Sequence, residues 1–167
     1  GFTKKEAEKL VIKYLGEDST SLRINYPVRA KFDKKPDFIR KPLSLFDQGK
    51  LYPLFSDQQL SISFIDEVCA ALKIIINNKT YGIYHASSRD TVSPFELISY
   101  VIEKTRGVKN TVKPIKVDEF LKQTKSPKVR YPKFGGLKIE RSEKTLGIKY
   151  STWREIVEKL ISQGLGK

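Results

Sequence analysis

Few side chains in this chain are of types that carry chemistry. It holds one histidine, one cysteine and no methionine among 167 residues. His85 follows Tyr84 in a short apolar stretch with no Cys, Asp or second His spaced to share a metal, so a lone structural imidazole is expected and metal catalysis is set aside. Cys69 lies in the apolar run 68–72, which reads as a small buried hydrophobe in a reducing compartment, with no partner for an intramolecular disulfide. Asp66 and Glu67 are adjacent carboxylates, the residue types of an acid–base pair, yet they also open a helical pattern where acids serve as caps. Ser87 and Ser88 lack the flanking glycines of a nucleophile elbow. What remains is Lys4, at the start of a helical pattern, which as a residue type is solvated helix surface. By the same reading Asp57–Gln58 is a hairpin turn, and Arg130 and Lys133 are solvated cations.

The elements that would position these groups follow from pattern. Residues 3–15 place Ala7, Leu10, Val11, Tyr14 and Leu15 on one face at helical spacing, with a Thr3/Glu6 capping box and Gly16 just beyond the end. Residues 21–26 (SLRINY) have strand composition and stop at Pro27, which removes a ladder donor. A loop and a helix over 38–48 follow, then short strands over 51–55 and 59–64. An Asp66 cap leads into a helix over 67–76, apolar on most faces and expected to be well buried, which closes at Asn77–Asn78. Residues 82–87 (GIYHAS) read as a strand. Ser93, Pro94 and Glu96 form a second capping box with Pro at the first helical position, and that helix runs to Arg106 before Gly107. A strand over 111–117 and a short helix over 118–123 precede a Pro- and Gly-containing loop over 124–136. Helices over 141–146 and 152–161 end the pattern, the second turning Trp153, Ile156, Val157, Leu160 and Ile161 inward. Tyr81, Tyr84, Phe134 and Trp153 are expected in core or cover rather than as stacking platforms.

Composition bounds the partners. With 39% hydrophobic and 31% charged residues the chain is globular. Its net charge of +13, from 32 Lys+Arg against 19 Asp+Glu, invites anionic partners. Lys supplies 24 of those cations and Arg eight, strewn along the chain, which argues against nucleic-acid readout. Apolar runs fall short of a membrane span and no signal peptide opens the chain, so a cytoplasmic protein is expected. The start at Gly1, without Met and directly inside a helical pattern, suggests a preceding segment.

The order of several segments resembles one family. The opening GFTKKEAE is similar to the segment after the catalytic tyrosine in extended short-chain dehydrogenase/reductases, whose signature is Tyr, three residues, then Lys. LRINYP (22–27) resembles the family's strand at the nicotinamide, DFI (37–39) its following helix start, and FSDQQLSIS (55–63) the Asp-Gln-x-x-Ser-Pro-Thr stretch of dTDP-4-dehydrorhamnose reductases. FIDEVCAAL (64–72), GIYHAS (82–87) and RYPKFGGLKIERSEKTLGI (130–148) continue the series. The chain departs from that pattern at Ile62 and Ser63, where the family has Pro and Thr, at Tyr131, inserted between Arg130 and Pro132, and at Lys138 in place of Asp. These departures are expected on the sugar-nucleotide side.

The resemblance implies an α/β fold: the C-terminal part of a doubly wound Rossmann-type sheet with a small mixed α/β substrate-binding lobe. Residues 1–35 and 60–107 would end the core, 36–59 and 108–150 would form mainly the lobe, and 151–167 the terminal helix. A piece of this kind would leave sheet edges and apolar helix faces uncovered and fold poorly or associate when alone. Lys4 would be the catalytic lysine, with the tyrosine directly before Gly1. Lys4, Tyr26 and Pro27 would meet NADPH or NADH, held mainly by an upstream half; Asp57, Gln58, Arg130 and Lys133 would line the nucleotide-sugar substrate, and a homodimer is the compatible assembly. The implied activity is reduction of the 4-keto group of a dTDP-linked deoxysugar. An epimerase or dehydratase of nucleotide sugars, a noncatalytic regulatory subunit of the methionine adenosyltransferase type, and a basic nucleic-acid module are the alternatives.

Overall fold

A computed structural model describes residues 1–32, 34–124 and 131–167. In chain order the elements are α1 (Phe2–Leu15), β1 (Thr20–Ile24), β2 (Pro27–Val28), α2 (Arg40–Asp47), β3 (Leu54–Phe55), β4 (Gln59–Leu60), β5 (Ser63–Phe64), α3 (Ile65–Asn77), β6 (Gly82–Ala86), α4 (Pro94–Arg106), β7 (Pro114–Ile115), α5 (Val117–Thr124), β8 (Phe134–Gly135), α6 (Glu140–Leu146) and α7 (Trp153–Ser162). Among the described residues every strand pair is parallel: β1 with β6, β2 with β5, β3 with β7 and β4 with β8. Parallel partners need long crossovers, and helices supply them here. The longest ladder sets Thr20–Ile24 against Gly82–Ala86.

Two apolar clusters hold these layers. The larger joins Leu97, Ile98, Val101 and Ile102 of α4 to Ile156, Val157 and Leu160 of α7, with Val28, Ile39, Leu60 and Ile62 from the loops and short strands. The smaller gathers Val68, Ala71 and Ile75 of α3 against Tyr84 and Ala86 of β6 and Leu146 of α6.

Local signals explain where α4 and α7 begin and end. Ser93 accepts from the Glu96 backbone N–H while the Glu96 carboxylate accepts from the Ser93 N–H, Pro94 follows, and Gly107 closes the helix at φ 69°. Thr152 and Glu155 close the same reciprocal box at α7. The expected inward face of α7 is found: Trp153, Ile156, Val157 and Leu160 are buried and Ile161 is half-buried.

Three expectations are overturned. At α1, Gly1 is the cap residue and no side chain caps the helix, because Thr3 already lies inside it. None of its residues is buried; of the expected inward face only Val11 reaches intermediate burial. At α3 the cap position is Phe64, again without a side-chain cap. Asp66 instead accepts from the Gln163 side chain, and Glu67 accepts from Ser151 and Lys159, tying α3 to α7. The apolar run of α3 is longer than one face can bury, so Cys69 and Ile76 are exposed. The expected strand over 111–117 shrinks to Pro114–Ile115, since its partner β3 is itself only two residues.

Candidate ligand-binding site

The candidate residues sit in two places. The first is a cavity of about 680 Å³ between the loop after β2, the β3–β4 segment and α5. One wall is Tyr26 against Phe38, ring centroids 4.5 Å apart. A second part of the lining is a cluster of Phe55, Phe120 and Tyr131, with centroids 5.1 to 5.8 Å apart in tilted and edge-to-face pairs. Against such faces a flat ring or a sugar face is held by dispersion and quadrupole contacts. Lys41, Gln123 and Gln58 add polar groups to the lining.

Gln58 is buried, and its Nε2 donates to the Pro132 carbonyl at 2.9 Å. That bond fixes the amide orientation and leaves Oε1 as an acceptor with no donor among the described residues. Tyr26 sits at φ 43°, a left-handed conformation that non-glycine residues rarely adopt. The tight turn separates β1 from β2 and aims its ring at the cavity. Asn25 braces the same turn, its N–H donating to Ser63 Oγ and its side chain to the Gly135 carbonyl. Asp37 fixes the far rim: its carboxylate accepts from the Ile39 and Arg40 N–H groups and from Arg40 Nε, at 3.0, 2.9 and 3.0 Å.

Other expected substrate residues are placed differently. Asp57 Oδ1 accepts from the Val117 N–H at 2.9 Å, so its carboxylate caps α5 rather than lining the cavity. Lys133 lies 2.9 Å from Asp118 and 3.9 Å from Asp57, and its hydrogen bond to Asp118 holds the ammonium above the usual lysine range. These two residues position α5 and the segment that brings Tyr131 to the cavity. Arg130 lies outside the described residues. Pro27 begins β2 and borders a neighbouring groove of about 410 Å³ with Tyr26 and Arg29. Of the departures from the family pattern, Tyr131 is in the cavity wall, whereas Ile62 and Ser63 are fully buried and Ser63 Oγ donates to the Ala86 carbonyl. Those two serve the interior, not a ligand.

The second place is α1, which carries Lys4 on its exposed surface, away from the cavity lining. Glu8 of α1 receives Arg23 of β1 in a two-pronged pair, at 2.8 and 2.6 Å. The Arg23 hydrogen bonds hold the Glu8 carboxyl below the usual carboxylate range and raise Arg23 in turn. His85 stands opposite Arg23 in the β1–β6 register, its Nδ1 donating to the Lys138 carbonyl at 2.7 Å. Among the described residues, no group of three or more His, Cys, Asp or Glu converges as a metal site and no helix is long and apolar enough to cross a membrane.

Residue pattern missed Phe120, which meets Phe55 only through tertiary packing, and Phe38 as a wall residue; Tyr131, expected on the sugar-nucleotide side, is in the cavity wall. Of the expected core or cover aromatics, Tyr84 and Trp153 are buried, while Tyr81 and Phe134 are exposed.

The chain is similar to solved structures of nucleotide-sugar enzymes. A dTDP-4-dehydrorhamnose reductase from Clostridium acetobutylicum shares 21% identity over 98% of this chain and 54% of its own, with a TM-score of 0.80. The dTDP-4-dehydrorhamnose reductase from Bacillus anthracis in complex with NADP shares 19% over 96% and 54%, TM-score 0.77. UDP-glucuronic acid 4-epimerase from Bacillus cereus in complex with NAD shares 15% over 98% and 50%, TM-score 0.65. The chain spans about half the length of each. At these identities the likeness establishes the fold, the parallel Rossmann-type α/β arrangement expected from sequence. A search of curated protein sequences gives no significant match. The model of the RmlD substrate binding domain matches residues 1–165, and the chain belongs to that family.

Proposed function

We propose that this chain forms the substrate side of an NAD(P)-dependent sugar-nucleotide oxidoreductase that reduces the 4-keto group of a dTDP-linked deoxysugar. The observation that carries the reading is the aromatic-walled cavity with the pinned amide of Gln58. Its faces suit a nucleotide base or sugar, and Gln58 Oε1 would accept from a ring N–H or a sugar hydroxyl. Residues 36–59 and 108–150 would supply this lobe, with Asp57 and Lys133 as its internal braces and Arg130 toward a diphosphate.

The chain's own residues fit only one end of a nicotinamide cofactor. The Tyr26–Pro27 turn presents a ring beside a groove, while the sequence has no glycine-rich turn for a dinucleotide phosphate. When bound, NADPH or NADH would supply hydride to the keto carbon. Lys4 would hydrogen-bond the nicotinamide ribose and, through its positive charge, lower the pKa of the tyrosine that protonates the developing alkoxide.

The test is turnover of a dTDP-4-dehydro-6-deoxysugar by the whole natural gene product, followed at the absorbance of the reduced nicotinamide. Oxidised cofactor formed one-for-one with product is the expected result, with Lys4→Met lowering kcat at least about a hundredfold. Gln58→Leu should raise KM by about tenfold. A cofactor that is recycled indicates an epimerase or dehydratase, and no turnover with any nucleotide sugar favours a noncatalytic role.

A further inference from the structure

We infer that Arg23 is a positioning residue for Lys4, acting through Glu8; this rests on the catalytic reading of Lys4. Among the described residues, the pair of hydrogen bonds from Arg23 to Glu8 is the only side-chain bonding between α1 and the rest of the chain. Within residues 1–167 no residue of α1 is buried, so the apolar packing these residues supply does little to fix its rotation or its height over the strands. The two-pronged pair does both, because two parallel N–H···O bonds set direction as well as distance.

Helical spacing carries that constraint to the lysine. Lys4 and Glu8 are four residues apart, hence neighbours on one face of α1. The connection from α1 to β1 is a single tight turn over residues 16–19, so helix and strand run in opposite directions. Lys4 lies about 6 Å from Glu8 along the helix axis, toward its N-terminus. Two strand residues beyond Arg23 cover about the same distance and reach Asn25. The clamp therefore sets Lys4 level with the turn at Asn25–Tyr26, where the cavity and its neighbouring groove begin.

His85 steadies the clamp from the other strand. Its Nδ1 faces a carbonyl, which can only accept, so the ring proton of the neutral form is on Nδ1 and Nε2 is a bare acceptor. Nε2 lies 3.5 Å from Arg23 Nη1, the nitrogen that does not bond Glu8. Arg23 is thus held on two sides, by a carboxylate from the helix and by an imidazole from β6.

The experiment uses the whole natural gene product and the nucleotide-sugar reductase assay. Arg23→Ala is expected to lower kcat at least about tenfold with KM for the sugar nucleotide within about twofold, since misplaced catalytic groups cost rate more than binding. The limb of the pH–rate profile that reports the tyrosine should move to higher pH, as it does when a nearby positive charge is withdrawn. Exchanging the pair, Glu8→Arg with Arg23→Glu, should restore most of the lost kcat, which guards against a variant that merely unfolds. An Arg23→Ala protein with wild-type kcat and pH profile beside an inactive Lys4→Met overturns the inference alone. So does an exchanged pair that melts like wild type yet stays as slow as Arg23→Ala. A fully active Lys4→Met overturns the reading of Lys4 and this inference with it.

Discussion

Helices α1 and α4 begin with the same kind of sequence and end up in opposite circumstances. Thr3…Glu6 and Ser93…Glu96 both spell a capping box, but only the second closes. In α4, Pro94 fixes the first helical residue and Leu97, Ile98, Val101 and Ile102 lock its face into the larger core. The turn that makes Ser93 a cap is thereby determined from both sides. In α1, Thr3 lies inside the helix and no residue of the helix is buried within this chain. A capping motif is a bid for a boundary, and packing decides whether it is taken.

The contrast can be broken most directly in the apolar faces. Leu97→Ala should destabilise the protein by about 2–5 kcal/mol, because a side chain with no exposed surface leaves a cavity. Leu10→Ala in α1, at 50% exposure, should change stability by less than about 0.5 kcal/mol. Urea unfolding of the two variants measures both, and equal losses would show that α1 is packed after all. Next in size are the caps: Ser93→Ala should cost about 1 kcal/mol and Thr3→Ala nothing measurable, by the same assay.

A pH titration sharpens the comparison further. The folded-state pKa of Glu8 is depressed, so its stabilising effect is fully present above the ordinary carboxylate pKa of about 4.3 and is lost as pH falls through the lower folded value. Amide hydrogen exchange of α1 should accelerate as pH drops below about 4, relative to intrinsic rates, while α4 stays protected. Simultaneous loss in both helices would contradict an α1 held by one ion pair. The smallest effect is expected at Tyr150, whose hydroxyl is buried without a partner among the described residues and is pushed well above the usual phenol range by that burial and by Glu67 and Glu143. Tyr150→Phe should leave the melting temperature unchanged or raise it slightly, since no hydrogen bond is lost.

The sequence was legible where a local rule and the packing agree. Ser93, Pro94 and Gly107 marked α4 to the residue, and the inward stripe of α7 was read correctly down to Leu160. It was least legible where an apolar run exceeds the surface available: Cys69 reads as buried from its neighbours, yet the helix turns it outward. At the site, Gln58 could be singled out because FSDQQLSIS resembles a family stretch, although it stands in the polar run Ser56–Gln59. Phe120 could not, because its meaning comes from Phe55, far away in sequence. Asp57 stands out only through the family resemblance, and its carboxylate caps α5, a use that no spacing rule announces.

The uniformly parallel pairing has a consequence for how the chain finds this structure. Even the nearest partners, Pro27 and Ser63, are separated by a full helix and several loops, and Gln59 must wait for Phe134. No two strands among the described residues can zip from a tight turn, so the entropy of closing long loops is met before any ladder rewards it. Folding should start from the helices, α4 and α7 foremost, with the short strands joining late. The β3–β7 and β4–β8 pairs, which bring α5 and Tyr131 to the cavity, would then be among the last contacts made and the first lost in partial unfolding.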